Sequence, residues 1–348
     1  MKHEKRLAFL LEIISFCIVM IMCGLVGTAA EEEFAEGIWK YILQTDGTAY
    51  ITGILDTQLS DTLTIPDSIG GCEVTAVKGL NNLQEITKIV IPDGVKEIGE
   101  NAFYNNTSLM YVELPDSLKV IGDRAFENCP LRKINLPDGL ITINSYAFFG
   151  CGFPTVRIPE TTTYIGDHAF DNSELQYAIF PNTVMTIGDG AFSSAEMREF
   201  YISENHPMLA SYQGVLFSKT TMTLLCYPKK KTRSIYEVPA GVTAIAPNAF
   251  DSNSYICEVI LPDTVVSIGN YAFFNCDSLE KINLPDGLQS IGASAFRWTD
   301  NLSELTIPAS VEEIGEDALP DAPIKVYAGS FAETYCIENE LDYVCIDP

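Results

Sequence analysis

The chain has 348 residues, of which 47 are acidic and 21 are basic, so its net charge is −26 and its pI is near 4.3. This excess of carboxylates argues against binding to nucleic acid or to anionic membrane surfaces, because both depend on Lys and Arg side chains that neutralise phosphate. The length alone would allow two ordinary domains, so the pattern along the chain has to decide the architecture.

Residues 1–30 differ in composition from the rest of the chain. Basic residues at the start precede an apolar run of 21 residues that ends at Gly27, and small residues follow as far as Ala30. This order predicts a secretory signal peptide, with cleavage after Ala30. The run is also long enough to remain as a membrane anchor. A secreted or cell-surface, extracellular location is expected in either case, with no membrane insertion once the signal is cleaved.

Residues 31–64 are predicted to form an N-terminal cap. The segment WKYILQTDGTAYITGIL, residues 39–55, contains two alternating runs around Asp46 and Gly47, a strong signal for a β-hairpin. A hairpin at this place would cover the exposed edge of whatever sheet follows, and an uncovered edge would invite aggregation.

The chain then repeats itself about every 22 or 23 residues. Residues 279–296 (LEKINLPDGLQSIGASAF) closely match residues 131–148 (LRKINLPDGLITINSYAF). Such a period predicts a solenoid, because one coil is too small to bury its own apolar face and is stable only when stacked on its neighbours. The repeats are predicted over residues 65–202 and 235–320. Their register is marked by prolines, namely Pro66, Pro92, Pro115, Pro137, Pro159, Pro181, Pro239, Pro262, Pro285 and Pro308.

Each unit has a fixed internal plan. Ile282 and Leu284 alternate with polar residues, which predicts a short half-buried strand that Pro285 ends. A glycine follows the second isoleucine in seven units, which indicates either a positive φ or no room for a Cβ; Ala246 is an exception. The recurring Ala-Phe pair predicts phenylalanine rings stacked from coil to coil. These rings are Phe103, Phe126, Phe148, Phe170, Phe192, Phe250, Phe273 and Phe296.

Residues 203–234 interrupt the repeat, within an interval of 58 residues between Pro181 and Pro239. Two apolar runs, VLF and TLLCY, predict a β-hairpin that projects from the solenoid. Insertions in repeat proteins often lie on a functional face, but they also occur where added sequence is simply tolerated. The insertion ends in a basic cluster made of Lys229, Lys230, Lys231 and Arg233.

The basic cluster has two interpretations. One is an electrostatic contact for an anionic partner, such as a wall polymer or an acidic patch on a host protein. The other is a solvated turn whose lysines balance nearby carboxylates.

The outward positions of the strands offer a second candidate surface. One such residue comes from each of five consecutive coils, and tyrosine and arginine are enriched at recognition surfaces. Scattered exposed aromatic residues are nevertheless ordinary. The candidate residues are Tyr111, Lys133, Arg157, Tyr177 and Tyr201.

Residues 321–348 are predicted to form a C-terminal cap. Ser330 and Glu333 make a capping box before a short helix, and DYVCI follows as a last strand. The cysteines leave two alternatives open. They are either small buried residues or disulfides of an exported protein, the candidate pairs being Cys336 with Cys345 and Cys129 with Cys151.

The unit I/LPxxVxxIGxxAFxxC resembles the repeat of the BspA-like leucine-rich repeat proteins, over roughly residues 40–348. The resemblance implies an α/β repeat fold rich in β-structure: a right-handed leucine-rich-repeat solenoid with N- and C-terminal caps and one β-hairpin insertion. Members of this family are secreted or surface-attached proteins of bacteria and some protists. They are implicated in adhesion to host matrix proteins or other cells and share no active site.

Catalytic signals are weak in this sequence. It has three histidines, and none stands in a known nucleophile motif; there is no CxxC pair and no DxDxDG loop. We therefore expect no catalytic residue, no metal, no cofactor and no enzyme activity. The expected function is non-enzymatic binding of a protein or glycan on a host or bacterial surface, by a monomer, through the concave strand face. The alternatives are a passive scaffold that spaces other modules and an enzyme-associated module.

Overall fold

The computed structural model describes residues 32–55 and 60–347, and the predicted signal peptide lies outside these ranges. The described elements from Phe34 onward belong to one unit. In chain order, the first strands are β1 (Glu33–Glu36), β2 (Trp39–Leu43), β3 (Thr48–Ile54), β4 (Thr62–Thr64), β5 (Ser68–Ile69), β6 (Cys72–Val77), β7 (Lys88–Val90), β8 (Glu97–Ile98), β9 (Tyr111–Glu113), β10 (Val120–Ile121), β11 (Thr142–Ile143), β12 (Thr155–Arg157), β13 (Tyr164–Ile165), β14 (Tyr177–Phe180), β15 (Thr186–Ile187) and β16 (Glu199–Ile202).

The insertion and the second run of repeats supply the remaining elements. They are β17 (Leu209–Tyr212), β18 (Val215–Ser218), β19 (Thr223–Cys226), β20 (Ile235–Glu237), β21 (Ala244–Ile245), β22 (Glu258–Ile260), β23 (Ser267–Ile268), β24 (Lys281–Ile282), β25 (Ser290–Ile291), β26 (Leu305–Ile307), β27 (Glu313–Ile314), β28 (Ile324–Tyr327), the helix α1 (Phe331–Glu338) and β29 (Tyr343–Ile346).

Most regular coils contribute two short strands, one before and one after the proline turn; the coil of Pro137 contributes the second one, β11, without the first. The strands before the proline pair in parallel and form the first sheet, in the segments β4-β7-β9, β12-β14-β16, β20-β22-β24 and β26-β28-β29. The strands after the proline form the second sheet, as β6-β8-β10-β11-β13-β15 and β19-β21-β23-β25-β27. The register joins equivalent residues of successive coils, such as Ile121 with Ile143 and Ile143 with Ile165. The predicted leucine-rich-repeat solenoid is therefore confirmed, and it is rich in β-structure with a single described helix.

The glycine after the second isoleucine is required by crowding. A Cβ on Gly292 would lie 2.4 Å from the backbone nitrogen of Asn270 and 2.5 Å from the carbonyl carbon of Gly269. Its φ is not positive, so of the two sequence-based alternatives the lack of space is correct. The positive φ occurs two residues later instead, as at Asn101 and Ser294. We define residues 99–106, and their equivalents in the other coils, as the outer turns.

The predicted phenylalanine stack is present, but in two parts. Rings stack in sequence from Phe103 to Phe192, and again from Phe250 to Phe296, with centroids 4.8–5.5 Å apart. Tyr227 begins the second part, because its ring stacks on Phe250 at 4.9 Å. Among the described residues no ring contact joins Phe192 to Tyr227. The buried core is correspondingly divided into two clusters that meet at the insertion.

The predicted hairpin between the two apolar runs of the insertion is present as β18 and β19, but the prediction that it projects from the solenoid is wrong. β17, β18 and β19 form an antiparallel three-stranded meander, and β19 also pairs in parallel with β21. Val215, Leu216 and Leu224 are fully buried, so the insertion is part of the solenoid wall and does not project from it. The reason is that its apolar runs supply the second-sheet strand and the core residues of one coil.

Both ends of the solenoid are covered. β2 and β3 form the antiparallel hairpin around Asp46 and Gly47, and β3 pairs in parallel with β6. Two hydrogen bonds from Thr48 to the Asp46 carboxylate order the turn and lower the pKa of that carboxyl group. At the other end the Ser330 hydroxyl accepts a hydrogen bond from the Glu333 backbone N–H and caps α1.

The described cysteines are free thiols. Cys129, Cys151 and Cys276 are buried, and each thiol donates a hydrogen bond to a phenylalanine carbonyl oxygen of the preceding coil. Burial raises the pKa of the Cys129 thiol to about 12, so this group stays protonated at neutral pH. The geometry agrees with the interpretation of these positions as small buried residues.

Candidate binding surface

The five outward residues of the first sheet do not form the single row that the sequence suggested. Tyr177 pairs in register with Thr155 and Glu199, whereas Ile179 pairs with Arg157 and Tyr201. The predicted set therefore mixes two rows that are two residues apart. The cause is that the set combines two positions of the unit: Tyr177 stands four residues before Pro181, whereas Arg157 stands two residues before Pro159.

The two rows nevertheless bring three of these side chains, together with Ile179, into one area on β12, β14 and β16. The rings of Tyr177 and Tyr201 are in contact, with centroids 6.1 Å apart. Ile179 is 53% exposed and Tyr201 is 49% exposed. We call Arg157, Tyr177, Ile179 and Tyr201 the strand-face patch. Ile179 was not among the predicted residues, although strict two-residue alternation from Tyr177 places it outward.

Tyr111 lies on β9, in another segment of the first sheet, and Lys133 lies in the next coil, outside the assigned strands. Tyr111 is exposed and pairs in register with Lys88, whose ammonium group lies 2.6 Å from a Glu113 carboxylate oxygen. Lys133 is exposed beside them, and together these side chains line a shallow depression. The paired charges make this region more polar than the strand-face patch.

The basic cluster of the insertion makes contacts within the protein. Lys230 and Lys229 lie 3.0 and 3.7 Å from the Glu196 carboxylate. Lys231 donates a hydrogen bond to the backbone carbonyl of Gln213, and Arg233 donates one to the side-chain carbonyl of the same residue. These contacts favour the interpretation that the cluster fastens the insertion and balances a nearby carboxylate.

The two histidines within the described residues have structural surroundings. His206 is buried, and its Nδ1 accepts hydrogen bonds from the backbone N–H groups of Met208 and Leu209. Burial lowers its pKa, so the ring is neutral. His168 Nδ1 lies 2.9 Å from an Asp171 carboxylate oxygen, and this hydrogen bond raises the histidine pKa.

In residues 32–55 and 60–347 no group of His, Cys, Asp and Glu side chains is arranged to hold a metal ion. No helix in these ranges is long and apolar enough to cross a membrane.

A group of outer-turn aromatic residues was missed by the sequence analysis. Tyr271, Phe274 and Trp298 lie together, with Phe274 contacting both of the others. The signal in the sequence was available at Trp298, because the equivalent residue in the preceding coils is asparagine, glycine or serine.

Comparison with known proteins assigns the repeat. The model of the BspA type leucine-rich repeat region, which holds six copies of the repeat, matches residues 77–151, 119–237 and 225–328. The chain belongs to this family of BspA-type leucine-rich repeat proteins. The comparison with curated proteins found no match.

Several solved structures share the fold. A leucine-rich cell surface protein from Faecalibacterium prausnitzii is 26% identical, with a TM-score of 0.67 over 92% of this chain and 96% of that one. A leucine-rich repeat protein from Eubacterium ventriosum is 20% identical, with a TM-score of 0.67 over 92% of this chain and 86% of that one. The pneumococcal vaccine antigen PcpA is 20% identical, with a TM-score of 0.64 over 92% of this chain and 99% of that one.

Proposed function

We propose that this protein works outside the cell as a non-enzymatic adhesin that recognises a protein or glycan through the strand-face patch. The observation that carries the proposal is the contact between two tyrosines beside an exposed isoleucine and arginine on paired strands. Membership of a repeat family with a cell-surface relative supports the extracellular setting.

The physical argument concerns rigidity and composition. The patch residues stand on strands whose backbones pair in parallel, so their positions are fixed before binding and little conformational entropy is lost. Tyrosine and arginine are enriched where binding energy concentrates, because they combine a large contact area with a hydrogen bond. The basic cluster is a weaker candidate, because Lys229 and Lys230 already pair with Glu196.

The test is a binding screen. The predicted mature protein, residues 31–348, is offered to immobilised host matrix proteins, mucins and bacterial wall polysaccharides. A triple variant, Tyr177→Ser with Ile179→Ser and Tyr201→Ser, should weaken the binding found by about tenfold or more. The matched control is Ile235→Ser with Ile260→Ser, which removes two exposed isoleucines from another segment of the same sheet.

The outcomes separate the proposal from its alternative. Loss of binding in the triple variant but not in the control supports the strand-face patch. Equal binding by the triple variant and the wild type would contradict it. No binding to any of the three classes of surface would favour a passive scaffold.

A further inference from the structure

The outer turns impose an unusual backbone conformation at two positions of most coils. At the first position φ is +58° for Asn248, +56° for Tyr271 and +52° for Ser294. At the second position φ is +55° for Asn275 and +61° for Trp298. A positive φ is unfavourable for a bulky side chain, because the Cβ crowds the backbone; asparagine and glycine tolerate it best.

Tyr271 and Trp298 therefore occupy positions that disfavour them. Some coils have asparagine at these two places, as at Asn101 and Asn105, although Arg124, Tyr146 and His168 also occupy the first place. Burial of the two rings does not fully offset the unfavourable positive φ, because Tyr271 is 43% exposed and Trp298 is 51% exposed. Backbone strain that packing does not explain is a reason to look for a function.

The rings of Tyr271, Phe274 and Trp298 contact one another in series, and neighbouring charged side chains hold Trp298 in place. Phe274 lies between the other two, with its centroid 5.4 Å from Tyr271 and 4.6 Å from Trp298. The Arg297 guanidinium lies over the Trp298 ring at 5.2 Å and is 2.9 Å from an Asp317 carboxylate oxygen. These contacts hold the tryptophan in place while half of its surface stays exposed. We call Tyr271, Phe274 and Trp298 the aromatic platform.

The same local sequence occurs in another coil without an open surface. Tyr146 and Phe149 stand in YAFFG as Tyr271 and Phe274 stand in YAFFN. There, however, the Arg124 guanidinium lies over the tyrosine ring at 5.0 Å and the His168 ring stacks on it at 4.9 Å. At Tyr271 the equivalent neighbours are Asn248 and Ser294, which are too small to cover a ring. The platform therefore differs from its repeat copy by its accessibility.

We propose that the aromatic platform binds a neutral oligosaccharide built from flat pyranose units. A pyranose with equatorial substituents presents its C–H groups on both faces, and these groups are attracted to the negative face of an aromatic ring. Two exposed rings joined through a third would hold consecutive sugar units. This site lies on the outer turns, so the proposal does not rest on the function proposed for the strand-face patch.

The surroundings favour a sugar over a protein partner. Asp277 and Asp300 are exposed and lie within three residues of Phe274 and Trp298 in the sequence, Asp317 is exposed and pairs with Arg297, and a net charge of −26 disfavours any anionic glycan. Carboxylates accept hydrogen bonds from sugar hydroxyl groups, whereas the centre of a protein interface is depleted in Asp and Glu. Asn275 adds a further group: its amide nitrogen donates to Ser252, and among the described residues no donor reaches its carbonyl oxygen.

Fluorescence provides a direct test, because the chain has two tryptophans. Replacing Trp39 with Phe leaves Trp298 as the single reporter. This protein is titrated with the hexamers of β-1,4-linked glucose and of β-1,4-linked N-acetylglucosamine. We expect a saturable change in Trp298 emission with at least one hexamer.

The variants separate binding from folding. Trp298→Asn and Tyr271→Asn install the residue that other coils use at a positive φ, so both should keep or raise the melting temperature. Each should weaken binding, measured by calorimetry with the same hexamers, by about tenfold or more. Tyr146→Asn is the matched control and should bind as the wild type does.

Either of two results would overturn the proposal. One is the absence of a saturable response to both hexamers in the single-tryptophan protein. The other is wild-type affinity in Trp298→Asn, which would place the sugar elsewhere. Binding that is lost in Trp298→Asn and retained in Tyr146→Asn establishes the site.

Discussion

The regular coils and the coil that carries the insertion both have a second-sheet strand followed by an interior aromatic ring, but the number of residues between the two differs. Phe192 follows Ile187 by five positions and Phe250 follows Ile245 by five, but Tyr227 follows Leu224 by only three. Leu224 nevertheless pairs in register with Ile245, so the insertion coil keeps its second-sheet strand and lacks an outer turn of full length. The comparison indicates that the strand and the interior ring are the essential parts of a coil and that the outer turn is dispensable.

The shortened turn explains two irregularities. A small cavity lies between residues 187–193 and Ala246–Asn248, with Leu216, Leu225 and Cys226 beneath it. Because the preceding turn is short, the Cβ of Ala246 has space that the equivalent Gly269 and Gly292 lack. The exception in the glycine pattern thus follows from the insertion. A hydrogen bond of 2.7 Å from the Ser194 hydroxyl to Asp251 spans this gap.

The first sheet is interrupted at the same coil. β16 pairs with β14, and no strand of residues 32–55 and 60–347 pairs with it on the other side. Instead the Phe200 N–H donates to the Gly214 carbonyl, and its own carbonyl accepts from the Ser211 hydroxyl. The turn between β17 and β18 therefore takes the place of a strand partner at the edge of the strand-face patch.

The largest expected effect comes from the ring stack of the regular coils. Phe148→Ala removes a fully buried ring that stacks on Phe126 and Phe170. We expect the free energy of unfolding to fall by about 3–5 kcal/mol, because the removed ring leaves a cavity. Urea denaturation followed by circular dichroism measures the change. A loss below about 1 kcal/mol would mean that the stack does not determine stability.

The second-largest loss of stability is expected from a substitution at the crowded glycine, Gly292. Gly292→Ala places a Cβ against the backbone of the preceding coil and should lower the free energy of unfolding by about 1–3 kcal/mol. Gly287→Ala is the control, because its nearest contact would be 3.7 Å away. Thermal unfolding of both variants distinguishes them. Equal melting temperatures would contradict the crowding argument.

A gain in stability is expected at the insertion coil. The hydroxyl groups of Tyr227 and Tyr236 are buried, and neither has a hydrogen-bond partner in the part of the chain that the structure describes. Burial raises the pKa of Tyr227 to about 12. Tyr227→Phe keeps the ring stack and removes an unsatisfied polar group, so unfolding should require about 1 kcal/mol more. A lower melting temperature in this variant would show that the hydroxyl group is stabilised.

The smallest effect concerns the charges of the insertion. Glu196→Gln removes the partner of Lys229 and Lys230, whereas Glu113→Gln removes the Lys88 pair of a regular coil. Both pairs are partly exposed, so each change should lower the unfolding free energy by about 1 kcal/mol or less. The Glu196 variant should lose more, since two ammonium groups lose their partner. Melting temperatures at low and high salt measure the difference, and a larger loss for Glu113→Gln would reverse this order.

The candidate surfaces were predictable only in part. Alternation placed Tyr111, Tyr177 and Tyr201 on the outside, but it did not reveal that Arg157 and Tyr201 share a row with Ile179. Register depends on hydrogen bonds between coils, and a shift of two residues keeps every side chain on the same face. The aromatic platform was missed because its residues come from two coils and become adjacent only on stacking.

The sequence by itself determined the solenoid, most of the strand positions and the interior position of the Ala-Phe pairs, because a fixed period constrains every coil in the same way. It also determined the hairpin of the N-terminal cap and the helix of the C-terminal cap, through their local turn and capping residues. The tertiary structure decided what happens where the period fails. The hairpin that was predicted to project forms part of the solenoid wall, and Tyr227 serves as an interior ring. The basic cluster contacts Glu196 and Gln213. The physical reason is that contacts between neighbouring coils, which no local pattern encodes, determine which apolar run of an irregular segment is buried.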